Sequence, residues 1–253
     1  MTPGRRRALA GLALGACLAL FGCDRLPGRP LAADRDVRPT EVLAFDVLYP
    51  RNCAGCHGAD GRLGASRPLD DPLYLALVPR DRLREVIGRG IPGTAQPAFA
   101  ASAGGALTDA QVDALVDGLI RTWGRPDASR GLTLPPYSAA AAREAGSAPG
   151  DPGRGKAVYD LACASCHGAG GGGGPRGGAV TDPSYLALVS DQYLRTTVIA
   201  GRPDLGMPDW RGYVANQPLS PQAVSDVVAW LVAARRPVPG RPGSDPAPRS
   251  GRH

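Results

Sequence analysis

The sequence predicts an all-α protein built from two tandem copies of one domain, each with about three helices. Aligned with itself at an offset of 110 to 112 residues, the chain repeats its most distinctive segments. The last predicted helix of each copy also places apolar residues at helical spacing behind a capping signal. Repetition at a nearly fixed offset indicates duplication of a whole domain rather than chance similarity of short motifs.

The first 22 residues are expected to be an export signal that is cleaved off. Three arginines in Met1–Arg7 precede Ala8–Gly22, a run of 15 small and apolar residues, which is shorter than the about 20 residues of a membrane span. Leu20–Cys23 resembles the cleavage box of bacterial lipoproteins, which implies that Cys23 becomes the acylated first residue. Cleavage before Cys17 would leave an apolar N-terminus, and an uncleaved anchor helix is the remaining alternative. In each case the rest of the chain is outside the cytoplasm.

Two copies of the domain are expected, at residues 40–124 and 153–234. Cys53–Gly58 aligns with Cys163–Gly168. The other matched segments are Tyr49 with Tyr159, Asp71–Val78 with Asp182–Val189, Val86 and Ile87 with Val198 and Ile199, and Pro97–Phe99 with Pro208–Trp210. Between the copies, residues 125–152 are rich in Ala, Pro, Gly and Ser and have no counterpart in the alignment, so they are expected to be a linker.

Three helices are predicted within each copy. The first ends at the cysteine motif, the second runs near Pro79–Ile87 and near Asp191–Ile199, and the third runs near Asp109–Trp123 and near Pro221–Ala234. Thr108 followed by Gln111 is a capping-box pattern, and Ser220 places an N-cap before a proline at the first helical position. The apolar stripes of the third helices are interpreted as core packing.

Composition limits the classes of function. Gly and Pro make up about a quarter of the chain, which fits two small domains joined by Gly/Pro-rich segments. Residues 23–39 are expected to be a tether, and residues 235–253, which lack apolar periodicity, a disordered tail. The net charge of +6 comes without a block of Lys and Arg interleaved with aromatics, which argues against a nucleic-acid-binding protein.

The pattern Cys-x-x-Cys-His occurs once in each copy, at Cys53–His57 and at Cys163–His167. It is the attachment signature of c-type haem, in which two thiols bond to the vinyl groups and the adjacent imidazole lies beneath the iron. One helical turn separates the two cysteines, so both thiols can reach the macrocycle. A structural zinc site needs four ligands where one motif supplies three, and a redox dithiol does not require the histidine. Two covalently attached haems are therefore expected.

From these residues, the sequence resembles class I cytochromes c over residues 40–124 and 153–234. The resemblance implies that the thioether cysteines are Cys53, Cys56, Cys163 and Cys166, and that the proximal iron ligands are His57 and His167. In that family a methionine on a loop before the last helix binds the iron from the other side. The second copy has Met207 in that place, followed by a proline.

The first copy has Gln96 where the resemblance implies methionine. The only methionines of the chain are Met1 and Met207, and the only histidine outside the two motifs is His253. Gln96 is then a weak oxygen ligand, a residue beside an open or water-filled position, or a bystander to a substitute ligand such as Lys156. Because methionine ligation raises haem potential, we expect two unequal haems, with the lower potential at the first.

The resemblance also implies that a downstream proline carbonyl orients each proximal histidine, with Pro68 and Pro175 as the candidates. The glycine-rich run Gly168–Gly178 could be mistaken for a phosphate-binding loop. No predicted strand precedes it and no Gly-Lys-Ser/Thr follows, so we expect a flexible flap near the haem.

These features imply a dihaem electron carrier on the periplasmic side of a bacterial membrane, lipid-anchored or part of a respiratory or dehydrogenase complex. Its partners are expected to be redox proteins that deliver and accept electrons. The alternative is a dihaem oxidoreductase that binds a small substrate at the first, methionine-less haem. Gas or redox sensing is a third hypothesis, without an attached signalling domain to support it.

Overall fold

The computed structural model describes residues 36–237, and all regular structure within them is helical. The eleven α-helices are α1 Phe45–Asn52, α2 Ala54–His57, α3 Pro72–Leu77, α4 Arg80–Arg89, α5 Asp109–Trp123, α6 Ala139–Glu144, α7 Pro152–Ala162, α8 Ala164–His167, α9 Pro183–Leu188, α10 Asp191–Ala200 and α11 Pro221–Ala233. The predicted all-α class is confirmed. Within the same residues, no helix combines the length and the apolar character that crossing a membrane requires.

The predicted export signal, the acylation of Cys23 and most of the predicted tail lie outside the described residues. Residue contacts divide the chain into two units, 1–41 and 42–253. In the first unit, a short 3₁₀ turn at Pro39–Glu41 is described, with an ion pair of 3.5 Å between Arg38 and Glu41. The second unit contains both repeats.

The helices with strong end signals are where the sequence places them. α5 begins after Thr108, whose hydroxyl accepts from the Gln111 amide while the Gln111 side chain accepts from the Thr108 amide, so the predicted capping box is present. α11 begins after Ser220, whose hydroxyl accepts from the Ala223 amide. α4 and α10 each lie within two residues of the predicted bounds.

The short helices α3, α6 and α9 were not predicted, because six residues are too few to show an apolar period. Their starts are nevertheless encoded locally. The Asp71 carboxylate accepts from the amides of Leu73 and Tyr74, and a proline follows the cap. Asp182 caps α9 in the same way. Both are aspartate N-caps with proline at the first helical position.

The first repeat packs its N-terminal helix α1 against its C-terminal helix α5. Leu48, Leu115 and Leu119 are buried in this core. The rings of Phe45 and Trp123 meet edge to face, with centroids 5.6 Å apart. The first and last helices of the repeat therefore close around a single apolar core.

The second repeat packs α7 against α11 in the same manner. Gly155 of α7 lies against the α11 backbone, since a Cβ added there would be 2.0 Å from the Asp226 carbonyl oxygen and 2.8 Å from the Cβ of Trp230. One turn further along α7, the rings of Tyr159 and Trp230 stack with centroids 4.2 Å apart. A glycine is thus required where the two helices approach most closely.

The two repeats share part of their core. Leu77 of α3, in the first repeat, is buried in the apolar cluster of the second. The predicted linker contributes Leu132, Leu134 and Tyr137 to the same cluster and contains helix α6. The Arg195 guanidinium donates to the Pro136 carbonyl, so the linker is fixed to α10. Arg235, the first residue of the predicted tail, donates to the carbonyls of Leu186 and Val189.

Substitution of Gly155 by alanine tests the close contact of α7 with α11. The added methyl group would overlap the Asp226 carbonyl, and overpacking of this kind lowers the free energy of unfolding by about 1 to 3 kcal/mol. We expect Gly155→Ala to unfold at a lower denaturant concentration than the unsubstituted protein. Gly172→Ala is the control, since Gly172 has φ −79° and no heavy atom within 4 Å of an added Cβ. Equal midpoints for the two variants would contradict this packing.

Candidate cofactor sites

The two cysteine motifs have the same backbone structure. In each, the first cysteine directly follows the first helix of the repeat, α1 or α7. A four-residue helix, α2 or α8, then ends at the histidine. The His57 amide donates to the Cys53 carbonyl at 3.0 Å, and the His167 amide donates to the Cys163 carbonyl at 3.0 Å. A glycine with positive φ ends the short helix each time. The sequence repeat is therefore also a repeat of local geometry.

All four motif cysteines are free thiols. Burial raises the pKa of Cys53 to about 11, and the neighbouring Cys56 adds to the shift. Burial likewise raises the pKa of Cys163 to about 11, with Cys166 as the secondary cause. These two thiols are consequently protonated at neutral pH.

Each motif histidine is held by one ring nitrogen. His57 Nδ1 is 2.7 Å from the Arg67 carbonyl oxygen, and His167 Nδ1 is 2.8 Å from the Gly178 carbonyl oxygen. The predicted acceptors Pro68 and Pro175 were wrong. In the first repeat the acceptor is the carbonyl of the residue before Pro68, and the Pro68 ring itself is fully buried. In the second repeat the acceptor comes three residues after Pro175.

The hydrogen bonds of the two motif histidines determine which ring nitrogen carries the proton and which has a free lone pair. With Nδ1 donating to a carbonyl, Nε2 is left with a lone pair that can bind a metal. Burial lowers the pKa of His57, and the charges of Arg67 and Arg202 add to this, while the bond to the Arg67 carbonyl opposes it. His57 is therefore kept in the neutral form that metal ligation needs.

Each motif is also held by a tyrosine that the sequence repeat singled out without giving it a role. The Tyr49 hydroxyl donates to the Gly58 carbonyl at 2.8 Å, and the Tyr159 hydroxyl donates to the Gly168 carbonyl at 2.7 Å. Tyr49 and Tyr159 are only 2% and 1% exposed, so these bonds satisfy hydroxyls buried in the core. They fasten the turn that follows each histidine to the first helix of its repeat.

The glycine-rich run of the second repeat forms the wall beside His167. The Gly173 amide donates to the His167 carbonyl, and the Gly174 amide donates to the Gly177 carbonyl, both at 2.9 Å. A Cβ added at Gly177 would lie 2.5 Å from His167 Nδ1. The run thus packs its backbone directly on the imidazole of His167.

The loops expected on the opposite side of the cofactor are equivalent in the two repeats. Ile91 and Arg202 donate their amides to the carbonyls of Gln96 and Met207, each at 3.0 Å. Two further backbone hydrogen bonds of the first repeat have counterparts in the second. The Phe99 amide donates to the Ile87 carbonyl as the Trp210 amide donates to the Ile199 carbonyl. The Leu107 amide donates to the Phe99 carbonyl as the Leu219 amide donates to the Trp210 carbonyl. Gln96 therefore occupies the structural position of Met207, as the sequence alignment implies.

The side chains at that position differ in their surroundings. The side-chain amide nitrogen of Gln96 donates to the Pro97 carbonyl at 3.3 Å. Lys156, the substitute ligand considered for the first site, lies on the exposed face of α7 in the second repeat and pairs with Asp160 at 2.5 Å. A cavity of about 940 Å³ opens beside Met207, between its loop and Asp71–Leu73 of the first repeat.

The donor set in each repeat fits a covalently attached haem. Two free thiols flank an imidazole whose Nε2 is available, and the loop expected opposite it carries methionine or glutamine. In residues 36–237, no three His, Cys, Asp or Glu side chains converge as ligands of one ion would.

Comparison with known proteins gives matches over both repeats. The sequence profile of the family described as cytochrome C oxidase, cbb3-type, subunit III matches residues 41–117 and 150–231. A curated relative, the Cbb3-type cytochrome c oxidase subunit CcoP of Azospirillum sp. (strain B510), is 29% identical over 146 residues. That alignment covers 53% of this chain and 42% of the relative, so the chain corresponds to less than half of that protein's length.

A solved structure also matches at the level of coordinates. It is titled the Kuenenia stuttgartiensis reducing HAO-like protein complex Kustc0457/Kustc0458, and it covers 79% of this chain and 98% of its own. The sequence identity is 16% and the TM-score 0.40.

Substitution of Gly177 by alanine tests how His167 is positioned. The new methyl group would displace the imidazole and stretch its bond to the Gly178 carbonyl, so an iron bound at Nε2 should be held more weakly. We expect a larger high-spin fraction by resonance Raman spectroscopy of the haem-loaded protein. Gly178→Ala is the matched control, because a Cβ at Gly178 meets nothing within 4 Å and the acceptor carbonyl remains. Identical spectra for the two variants would contradict this role of Gly177.

Proposed function

The chain belongs to the cytochrome c oxidase, cbb3-type, subunit III family, and on that basis we propose that it transfers electrons through two covalently attached c-type haems. One observation carries the proposal: each repeat presents two free thiols beside a histidine whose Nδ1 is bound to a loop carbonyl. The family match, once over each repeat, supports the tandem arrangement of cytochrome c domains.

The roles of the residues follow from their positions. Cys53 and Cys56 would hold the first haem, and Cys163 and Cys166 the second, each through a thioether bond. His57 and His167 would bind the iron through Nε2. A c-type haem would supply one-electron chemistry. The protein's own task is to orient these ligands.

The distal loops would make the two haems unequal. Met207 would supply a thioether sulfur to the second haem, and methionine ligation raises the potential of a haem. Gln96 offers an amide oxygen in the same backbone position, a far weaker ligand for ferrous iron. The first haem would therefore have the lower potential, and electrons would pass from the first haem to the second.

Location and partners complete the proposal. Cys23 is the acylated residue of a lipoprotein-type signal, which tethers the protein to the periplasmic side of a bacterial membrane. The name of the Azospirillum relative describes a subunit of an oxidase. By analogy, this chain passes electrons between redox proteins of a respiratory or dehydrogenase complex.

A second function is favoured by one observation, the absence of a thioether in the distal loop of the first repeat. A haem without a strong distal ligand can bind a small substrate, which would make the protein a dihaem oxidoreductase. Fast binding of carbon monoxide or cyanide to the first haem, accompanied by turnover of a substrate, would favour this function. Slow binding without turnover supports the electron carrier.

Removal of one thiol pair tests the attachment of each haem. We expect Cys53→Ala/Cys56→Ala and Cys163→Ala/Cys166→Ala to retain one covalent haem each, whereas the unsubstituted chain retains two, since each pair serves only its own repeat. Intact-protein mass spectrometry counts the haems directly. Loss of both haems from a double variant that still folds, or no loss from either, would contradict the assignment.

The Gln96→Met variant tests the asymmetry. A thioether in the position of Gln96 should raise the potential of the first haem towards that of the second, so the two steps of a potentiometric titration merge. Gln217→Met, an exposed glutamine outside both ligand positions, is the control and should leave both steps in place. Two identical high potentials in the unsubstituted protein would refute the proposed difference between the haems.

A further inference from the structure

The loop that orients His57 lies directly against the loop that carries Met207. We call Leu63–Arg67 the proximal loop of the first repeat and Thr197–Met207 the distal segment of the second. The side chain of Asp204 accepts from the Leu63 amide at 3.2 Å, and Arg202 donates to the Gly64 carbonyl at 3.4 Å. The two repeats therefore meet at the residues that serve their two different iron sites.

Arg67 is the central residue of this contact. Its carbonyl accepts from His57, while its guanidinium donates to the Thr197 hydroxyl of α10 at 3.2 Å. The guanidinium carbon also lies 4.3 Å from the centre of the Tyr74 ring. Arg67 is thus bound to the first motif by its backbone and to the second repeat by its side chain.

Burial of this arginine is costly. Arg67 is 4% exposed, and its nearest carboxylate, Asp71, is 3.9 Å away. In the described part of the chain, Nε and Nη1 of Arg67 and Oδ2 of Asp71 have no hydrogen-bond partner among the protein's own atoms. A buried cation with incomplete pairing destabilises a fold relative to an apolar side chain. Core packing alone therefore gives no reason for an arginine here.

Leu63, which belongs to the same contact, has a strained backbone conformation. Leu63 has φ 59°, a left-handed conformation that is unfavourable for a branched side chain. Its amide is held by Asp204, whose carboxylate also pairs with Arg202 at 2.8 Å. The bond to Arg202 lowers the pKa of Asp204, so the carboxylate remains charged and keeps both partners.

The distal segment transmits this contact to Met207. The Gly201 amide donates to the Thr197 carbonyl at 2.8 Å and ends α10. Arg202 and Met207 then exchange two backbone hydrogen bonds, each of 3.0 Å. An unbroken series of hydrogen bonds and peptide units thus runs from His57 through Arg67, Thr197 and Arg202 to Met207.

We propose that Arg67 is a positioning residue that couples the two haem sites, holding the proximal ligand of the first haem and the distal loop of the second in one rigid arrangement. This inference rests on the proposed function, since it requires haem at both motifs. Its consequence is specific: a substitution in the first repeat should loosen the methionine ligand in the second. No such effect is expected if the repeats are independent cytochromes in a shared fold.

The experiment measures how easily imidazole displaces Met207 from the second haem of the full-length dihaem protein. Loss of the near-infrared sulfur-to-iron band reports this displacement, and binding of imidazole at the first haem does not affect that band. We expect Arg67→Met to raise the apparent imidazole affinity about tenfold, the effect of losing one buried hydrogen bond to a charged group. Arg67→Lys, which keeps the charge but not the reach of the guanidinium, should show a similar increase.

A pair of neighbouring threonines provides the matched control. Thr197→Val removes the hydroxyl that accepts from Arg67 and should raise the imidazole affinity in the same direction. Thr196→Val removes an equally buried hydroxyl that bonds only within its own helix, to Gln192 and Tyr193, and should leave the affinity unchanged. The double variant Arg67→Met/Thr197→Val should show no more than the effect of Arg67→Met, because both substitutions break one link.

The outcomes separate the two proposals. If the unsubstituted protein lacks two haems or the sulfur-to-iron band, the proposed function fails. If both are present and Arg67→Met, Arg67→Lys and Thr197→Val all stay within about twofold of the unsubstituted affinity, the coupling role of Arg67 is refuted. If Arg67→Met does not fold, the comparison of Thr197→Val with Thr196→Val decides the matter alone.

Discussion

A single hydrogen bond from the ring of each motif histidine to a loop carbonyl determines how both sites are built. It commits Nδ1 of His57 to the Arg67 carbonyl and Nδ1 of His167 to the Gly178 carbonyl, and so leaves the lone pair of each Nε2 available to a metal. The bond can form only if the short helix of the motif ends at the histidine and the next loop returns over it. The tyrosine bonds to Gly58 and Gly168, and the glycine wall beside His167, serve this return.

The proximal sides of the two sites are equal, but the distal sides and the setting of each repeat are not. The loops that carry Gln96 and Met207 share three matched backbone hydrogen bonds, but one presents a side-chain amide and the other a thioether. The repeats are also joined asymmetrically, since the proximal loop of the first contacts the distal segment of the second. Duplication thus produced two similar cytochrome c domains within one packed unit, and the two domains differ in the side chain that their distal loops carry.

Prediction from the sequence succeeded where the signal was local or repeated. The capping box at Thr108, the Cys-x-x-Cys-His motifs and the alignment of Gln96 with Met207 depend on a few neighbouring residues, and these were identified. Helix α6 and the packing of the linker on α10 were missed, because a short helix shows no apolar period. The proximal acceptors were assigned to the wrong residues, since the direction of a carbonyl depends on how the whole loop folds back. The role of Arg67 was beyond prediction, as it depends on contacts between residues 130 positions apart.

We propose that the two sites have the same proximal ligand and different distal ligands. The most direct test is the near-infrared absorption of the fully oxidised dihaem protein, with the sulfur-to-iron band expressed per haem. We expect the intensity of one methionine-ligated haem for every two haems present. A band with the intensity of two such haems, or no band at all, would contradict it.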